Sequence, residues 1–245
     1  MLVSRFIHDF SPGVWHWLKY QQYLHTSAGE PEIKYIGQLI PPDRLVIDVG
    51  VHLGFYSRHF ARFAAQVLSF EANPASAKEA ARMLPANVRI ENVALSDENT
   101  TVHLRVPVDG AGGGEAALGT LAPSNNLSGA AFRSVPITAR RLDGMELPPV
   151  GLVKIDVEGH EEAVLRGARG VLERDRPTLM IEIEERHNAG SIPRVFQRLA
   201  ELGYRGFVLE GDRLSPISAD MAVASQQAGS GRQYINNFFF LQRHE

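Results

Sequence analysis

The sequence predicts an α/β fold, an open sheet of parallel strands covered by helices on both faces. Three observations predict it. Apolar runs of strand length alternate with helical patterns from about residue 44 to residue 206, the rhythm of parallel strands joined by helical crossovers. The first two runs each end in a carboxylate, in "VIDVG" (46–50) and "SFE" (69–71), where an open α/β sheet binds its ligands. No internal repeat or linker divides the chain, and 245 residues suffice for one substantial core.

The elements follow in order. Residues 1–30 stand apart, with Trp15, Trp17, Phe6, Phe10, Tyr20 and Tyr23. Ser11-Pro12 marks a helix start. This segment reads as a helical extension packed on the main sheet, ahead of a domain spanning 31–245; a membrane-surface or substrate-cover role is the alternative. "RLVIDV" (44–49) is a strand closed by Gly50. Residues 55–65 place Phe55, Tyr56, His59, Phe60 and Phe63 at helical spacing. "QVLSFE" (66–71) is a strand, and Asn73-Pro74 opens the next helix. "VRIENVALS" (88–96) reads as a third strand. Residues 101–108 and 135–142 look like extra strands that interrupt the rhythm. Between them, 109–131 is rich in Gly, Ala, Ser and Asn, a loop insertion long enough to be functional or disordered; its position predicts a mobile cover over an acceptor pocket. "LVKIDV" (152–157), the helix pattern 158–173, the strand 176–185 and the helix 191–203, closed by Gly203, resume the alternation. Residues 204–210 and 236–242 look like closing strands.

Composition excludes several functions. The formal charge is −3 with no long basic run, so nucleic acid is not the expected partner. No apolar stretch reaches bilayer length, and "MLVSRFIHDF" lacks the continuous apolar region of a signal peptide; the expected compartment is the cytoplasm. There is no cysteine, hence no disulfide, thiolate nucleophile or cysteine-held cluster. Any metal would need Asp, Glu or His.

The strand ends indicate the ligand. Glycine at position 50 lets the backbone approach a bound molecule, and an acid at the end of the next strand, Glu71, can accept hydrogen bonds from ribose hydroxyls. A dinucleotide would call for Gly-x-Gly-x-x-Gly, but Gly50-Val51-His52-Leu53-Gly54 lacks that spacing. Asp48 would also repel a pyrophosphate. S-adenosylmethionine fits better: a ribose for Glu71, and an ammonium and sulfonium for an acidic floor. The bland reading makes Asp48 and Glu71 only strand-end caps.

The chain resembles the FkbM-type family of S-adenosylmethionine-dependent methyltransferases, of the Rossmann-like class. The matching pieces are "GEPE" (29–32), "VIDVGVHLGFYS" (46–57), "SFEANP" (69–74), "ENVALSD" (91–97), "RRLDGM" (140–145), "VKIDVEGHEEAVLRGA" (153–168) and "PTLMIEIEERH" (177–187). The resemblance implies an open, mostly parallel seven-strand sheet with the last strand antiparallel, and methyl transfer to a hydroxyl of a sugar, polyketide or other small molecule. It implies that Asp48, Gly50 and Gly54 line the methionine end and Glu71 holds the ribose. It sets Asn92, Ala94 and Ser96 beside the adenine, Asp156 at the reacting centre, and Glu30 near the cofactor. His52 departs from the small or amide-bearing residue usual after the first glycine. N-methylation, or a non-catalytic protein of the same fold, is the alternative.

Catalysis has candidates in "IDVEGHE". Methyl transfer needs a placed nucleophile, and a base would take its proton. His160, beside Asp156 and Glu158, is the leading base, because an imidazole works near neutrality. His187 is the second candidate. A metal held by Asp156 with other carboxylates is a third option, unsupported by ligand spacing. Glu161 and Glu162 read as first-turn helix acids.

Overall fold

A computed structural model describes residues 9–26, 30–107, 120–122, 131–227 and 233–242. The chain begins with α1 (Pro12–His25) and the short α2 (Glu32–Ile36), then alternates: β1 (Leu45–Val49), α3 (Phe55–Phe60), β2 (Val67–Phe70), α4 (Pro74–Met83) and β3 (Val88–Glu91). After the small strands β4 (Ala94–Leu95), β5 (Thr100–Pro107) and β6 (Phe132–Arg140) come β7 (Val150–Ile155), α5 (Glu161–Gly167), α6 (Arg169–Asp175), β8 (Thr178–Glu182) and α7 (Ser191–Glu201). β9 (Tyr204–Glu210), β10 (Arg213–Pro216), α8 (Ala219–Gln226) and β11 (Asn237–Gln242) complete the described chain.

The main sheet runs β10-β9-β11-β8-β7-β1-β2-β3. The pairs from β8 to β3 are parallel, and β11 is antiparallel to both β8 and β9. β1 and β7 are buried along their whole length, which is why they read as unbroken apolar runs. Alternate residues feed two cores. Ile47, Val153 and Ile181 face α5 to α8, while Val46, Leu152, Met180 and Phe239 face α1 to α3. In α1 the buried residues are His16, Tyr20 and Leu24, whereas Trp17 is half-exposed. Among the described residues no helix is long and apolar enough to cross a membrane.

Four details differ from the sequence pattern. An eighth strand, β10, joins the expected seven as an antiparallel edge. The third strand breaks after Glu91; Asn92 turns its amide onto the Glu71 and Ala72 carbonyls, and β4 leaves to pair with β6 in a separate three-stranded sheet. The helix pattern from 55 stops at Phe60. The pattern 158–173 divides at Ala168 into α5 and α6, where Gly167 lies so close to the Ser96 carbonyl that a Cβ would be 1.9 Å from it. Of the 109–131 segment expected to form a cover, only 120–122 and 131 are among the described residues.

Candidate cofactor site

The chain proceeds from β1 outward to β3, then returns to β7 beside β1. That reversal opens a crevice at the carboxyl edge of the sheet. A solvent-open cleft lies there. Gly50, His52, Glu71, Ala94, Asp156 and His160 line it, with apolar walls from Phe70, Val93, Leu95 and Leu104.

Its floor is the turn after β1. Gly50, His52 and Gly54 have φ of 87°, 47° and 75°, a left-handed path that is costly for any residue but glycine. The non-glycine member is held there: the His52 N–H donates to Glu71 Oε2 at 2.9 Å. Glu71 Oε1 accepts from the Asn73 N–H at 2.8 Å. Burial raises the Glu71 pKa against these two amides. Each carboxylate oxygen keeps a second lone pair for a ligand hydroxyl.

The remaining expected residues take distinct places. Asp48 lies beneath the cleft wall, fully buried; its Oδ2 accepts from Ser57 Oγ at 2.5 Å, and burial raises it to about 6. Gly54 sits at the start of α3 against Leu84. The Asn92 side chain is used on backbone carbonyls, so it braces the β3 turn. Ser96 Oγ is 3.0 Å from His160 Nε2. Burial lowers His160, leaving a neutral ring at pH 7. Glu30 is off the cleft lining, accepting from the Tyr56 hydroxyl at 2.6 Å. His187 is also off the lining; its Nδ1 lies 3.0 Å from Glu158 Oε2. Glu161 turns back onto the Gly159 N–H at 2.8 Å, and Glu162 pairs with Arg194 at 2.6 Å.

Sequence reasoning missed two contributors. Lys154, buried in β7, places Nζ 3.1 Å from Asp156 Oδ2 and 4.7 Å from the centre of the Tyr56 ring. Burial opposes its charge, but Asp156, Asp48, Glu30 and Glu182 hold its pKa above the ordinary lysine value. Thr120 Oγ1 donates to the Glu158 carbonyl at 2.7 Å, and Leu121 lines the cleft. An alternating "VKID" reads as an ordinary strand, and nothing in the glycine-rich stretch marks Thr120. Among the described residues no group of three or more acidic or histidine side chains is placed to hold a metal ion.

No curated protein matches the chain in sequence. Among solved structures, it is similar to methyltransferase FkbM from Methylobacillus flagellatus KT, at 12% identity over 83% of this chain and 45% of that one, with TM-score 0.49. It thus spans less than half of that protein. A TehB-like SAM-dependent methyltransferase from Corynebacterium glutamicum is 13% identical over 93% of this chain and 96% of its own, with TM-score 0.46. An rRNA methylase from Streptococcus thermophilus is 12% identical over 87% and 95%, with TM-score 0.46. The model of the methyltransferase FkbM domain matches residues 48–205, which contain the Gly50 turn, Glu71, Asp156 and His160, and the chain belongs to that methyltransferase family.

Proposed function

We propose that the cleft holds S-adenosylmethionine and that the protein methylates a hydroxyl of a small-molecule acceptor such as a sugar or polyketide. The observation that carries the cofactor reading is Glu71 at the carboxyl end of β2, fixed by two backbone amides with lone pairs left over, in the same cleft as the glycine turn. The walls fit the group. Val93, Leu95 and Phe70 offer an apolar slot for an adenine, and Asp156 and the buried Asp48 give negative charge near a cationic methionine end. Bound there, the cofactor supplies an activated methyl group on a good leaving sulfur.

The chain's own residues would do the rest. Asp156, steadied by Lys154, would accept a hydrogen bond from a neighbouring polar group of the acceptor and so turn the reacting hydroxyl, with its proton, toward His160. His160, kept neutral by burial, would take the proton as the new bond forms. His187, paired with Glu158, would position rather than react. The acceptor class rests on the family resemblance and the low net charge of −3. Mass spectrometry of the protein as purified tests the cofactor reading: S-adenosylmethionine or S-adenosylhomocysteine should be released on denaturation, and a nicotinamide or flavin dinucleotide in its place would overturn it.

A further inference from the structure

We infer that His16, on the N-terminal helix, is a positioning residue for the loop that holds the cofactor. The inference rests on the cofactor reading above and extends it to a helix outside the matched residues 48–205. His16 is fully buried. Its Nε2 lies 2.5 Å from the Leu53 carbonyl oxygen, and Arg58 Nε donates to its Nδ1 at 2.6 Å. A carbonyl only accepts and a guanidinium only donates. The two contacts therefore fix a single species, the neutral ring with its proton on Nε2.

The neighbours make this a clamp. The ring packs 5.2 Å from that of Phe55. Arg58 also donates to the Met83 carbonyl at 2.6 Å and to the Gly13 carbonyl at 3.4 Å, so one guanidinium joins α1, α3 and the end of α4. Leu53 sits between His52 and Gly54, both left-handed. Glu71 grips the His52 amide from the cleft side, and His16 grips the next residue's carbonyl from behind. Two successive residues of a strained turn are thus pinned from opposite sides. Without the rear contact the turn must be ordered at the expense of ligand binding.

The same geometry responds to acid. Arg58 is the charged group against the ring. One turn along α1, Tyr20 contacts His59 Nδ1 at 2.7 Å and Arg62 at 3.2 Å. Burial lowers His16 to about 4, opposed by the Leu53 carbonyl and assisted by Arg58. A proton on Nδ1 would remove the lone pair that Arg58 uses and place two cations in contact.

The test titrates S-adenosylhomocysteine into wild type, His16→Ala and His16→Gln at neutral pH and at about pH 4, where the buried ring gains its proton, with circular dichroism confirming the fold. Glutamine supplies one donor and one acceptor without titrating. His16→Ala should weaken binding about tenfold, or about 1.4 kcal/mol. His16→Gln should restore most of it and lose less affinity than wild type on acidification. Wild-type affinity in folded His16→Ala, or a glutamine variant that tracks wild type at both pH values, would overturn the inference alone. If His16→Ala does not fold, the glutamine pH comparison decides. A wild-type protein that binds no S-adenosylhomocysteine would sink the cofactor reading and this inference with it.

Discussion

Gly50 passes so close to Asp156 that a Cβ built on it would lie 1.8 Å from the Asp156 carbonyl oxygen. The contact lies where β1 and β7 end side by side; the Asp156 N–H donates to the Val49 carbonyl at 2.9 Å. Backbone blocks the added carbon, and φ is 87°, so neither clash nor strain can relax cheaply. Gly50→Ala should cost on the order of 3 kcal/mol or more. Gly54→Ala should cost about 1–2 kcal/mol, because its Cβ would meet only the Leu84 side chain at 3.1 Å. Urea denaturation of both variants checks the ranking, and equal losses would contradict it.

Lys154 is a buried cation among Asp156, Asp48, Glu30 and Glu182. Lys154→Met keeps the packing but removes the charge. Stranding buried carboxylates typically costs about 3–5 kcal/mol, and because Asp156 is partly exposed the lower end is expected. A loss under about 1 kcal/mol in thermal denaturation, the size of a surface pair, would show that the lysine is not needed to hold the cluster.

Stability should fall as pH rises from about 6.5 to 9. Burial raises Glu182 to about 9 and Glu161 to about 7, above the ordinary carboxylate value of 4.5. Between the unfolded and folded values the native state holds a proton that the unfolded chain has lost, so stability declines with pH until the folded value is passed. His16 and His59, lowered by burial to about 4, have the opposite sign: their contribution is complete above 6.5 and lost as pH falls through 4. They are silent in the alkaline window. Scanning calorimetry should show Tm dropping over that window, and Glu182→Gln should flatten the drop. A flat wild-type profile would contradict the assignment.

Parts of this molecule were legible for physical reasons. β1 and β7 announce themselves because both faces are covered. The start of α4 is readable because Asn73 Oδ1 accepts from the Ala75 N–H at 3.0 Å and Pro74 follows. Gly50, Glu71 and Asp156 stand out because strand ends carry ligands in such sheets. By contrast, β4 is two residues long and β10 is a short edge strand, too little pattern to detect. The contacts of Lys154 with the Tyr56 ring and of His16 with Leu53 and Arg58 join residues far apart in sequence, so no local spacing betrays them. The sequence places Asp48 at the methionine end of the cofactor; that its side chain turns to Ser57 is a direction that alternation alone does not give.

Catalysis can be divided between two residues once screening identifies a hydroxyl acceptor. His160→Ala should lower turnover by on the order of 10²–10⁴-fold, and Asp156→Asn should lower it while also weakening acceptor binding. S-adenosylhomocysteine affinity should persist in His160→Ala. If His160→Ala stays active and Asp156→Asn does not, positioning by the carboxylate carries the reaction and His160 serves only to brace Ser96.

The most direct test of the central claim is calorimetric titration of S-adenosylhomocysteine into wild type and Glu71→Ala, with NAD as competitor. Hydrogen bonds to a charged group are worth about 1.5–3 kcal/mol each. The account therefore predicts binding to wild type, no competition by NAD, and affinity ten- to a hundredfold lower in folded Glu71→Ala. Unchanged affinity in the folded variant, or displacement by NAD, would contradict it.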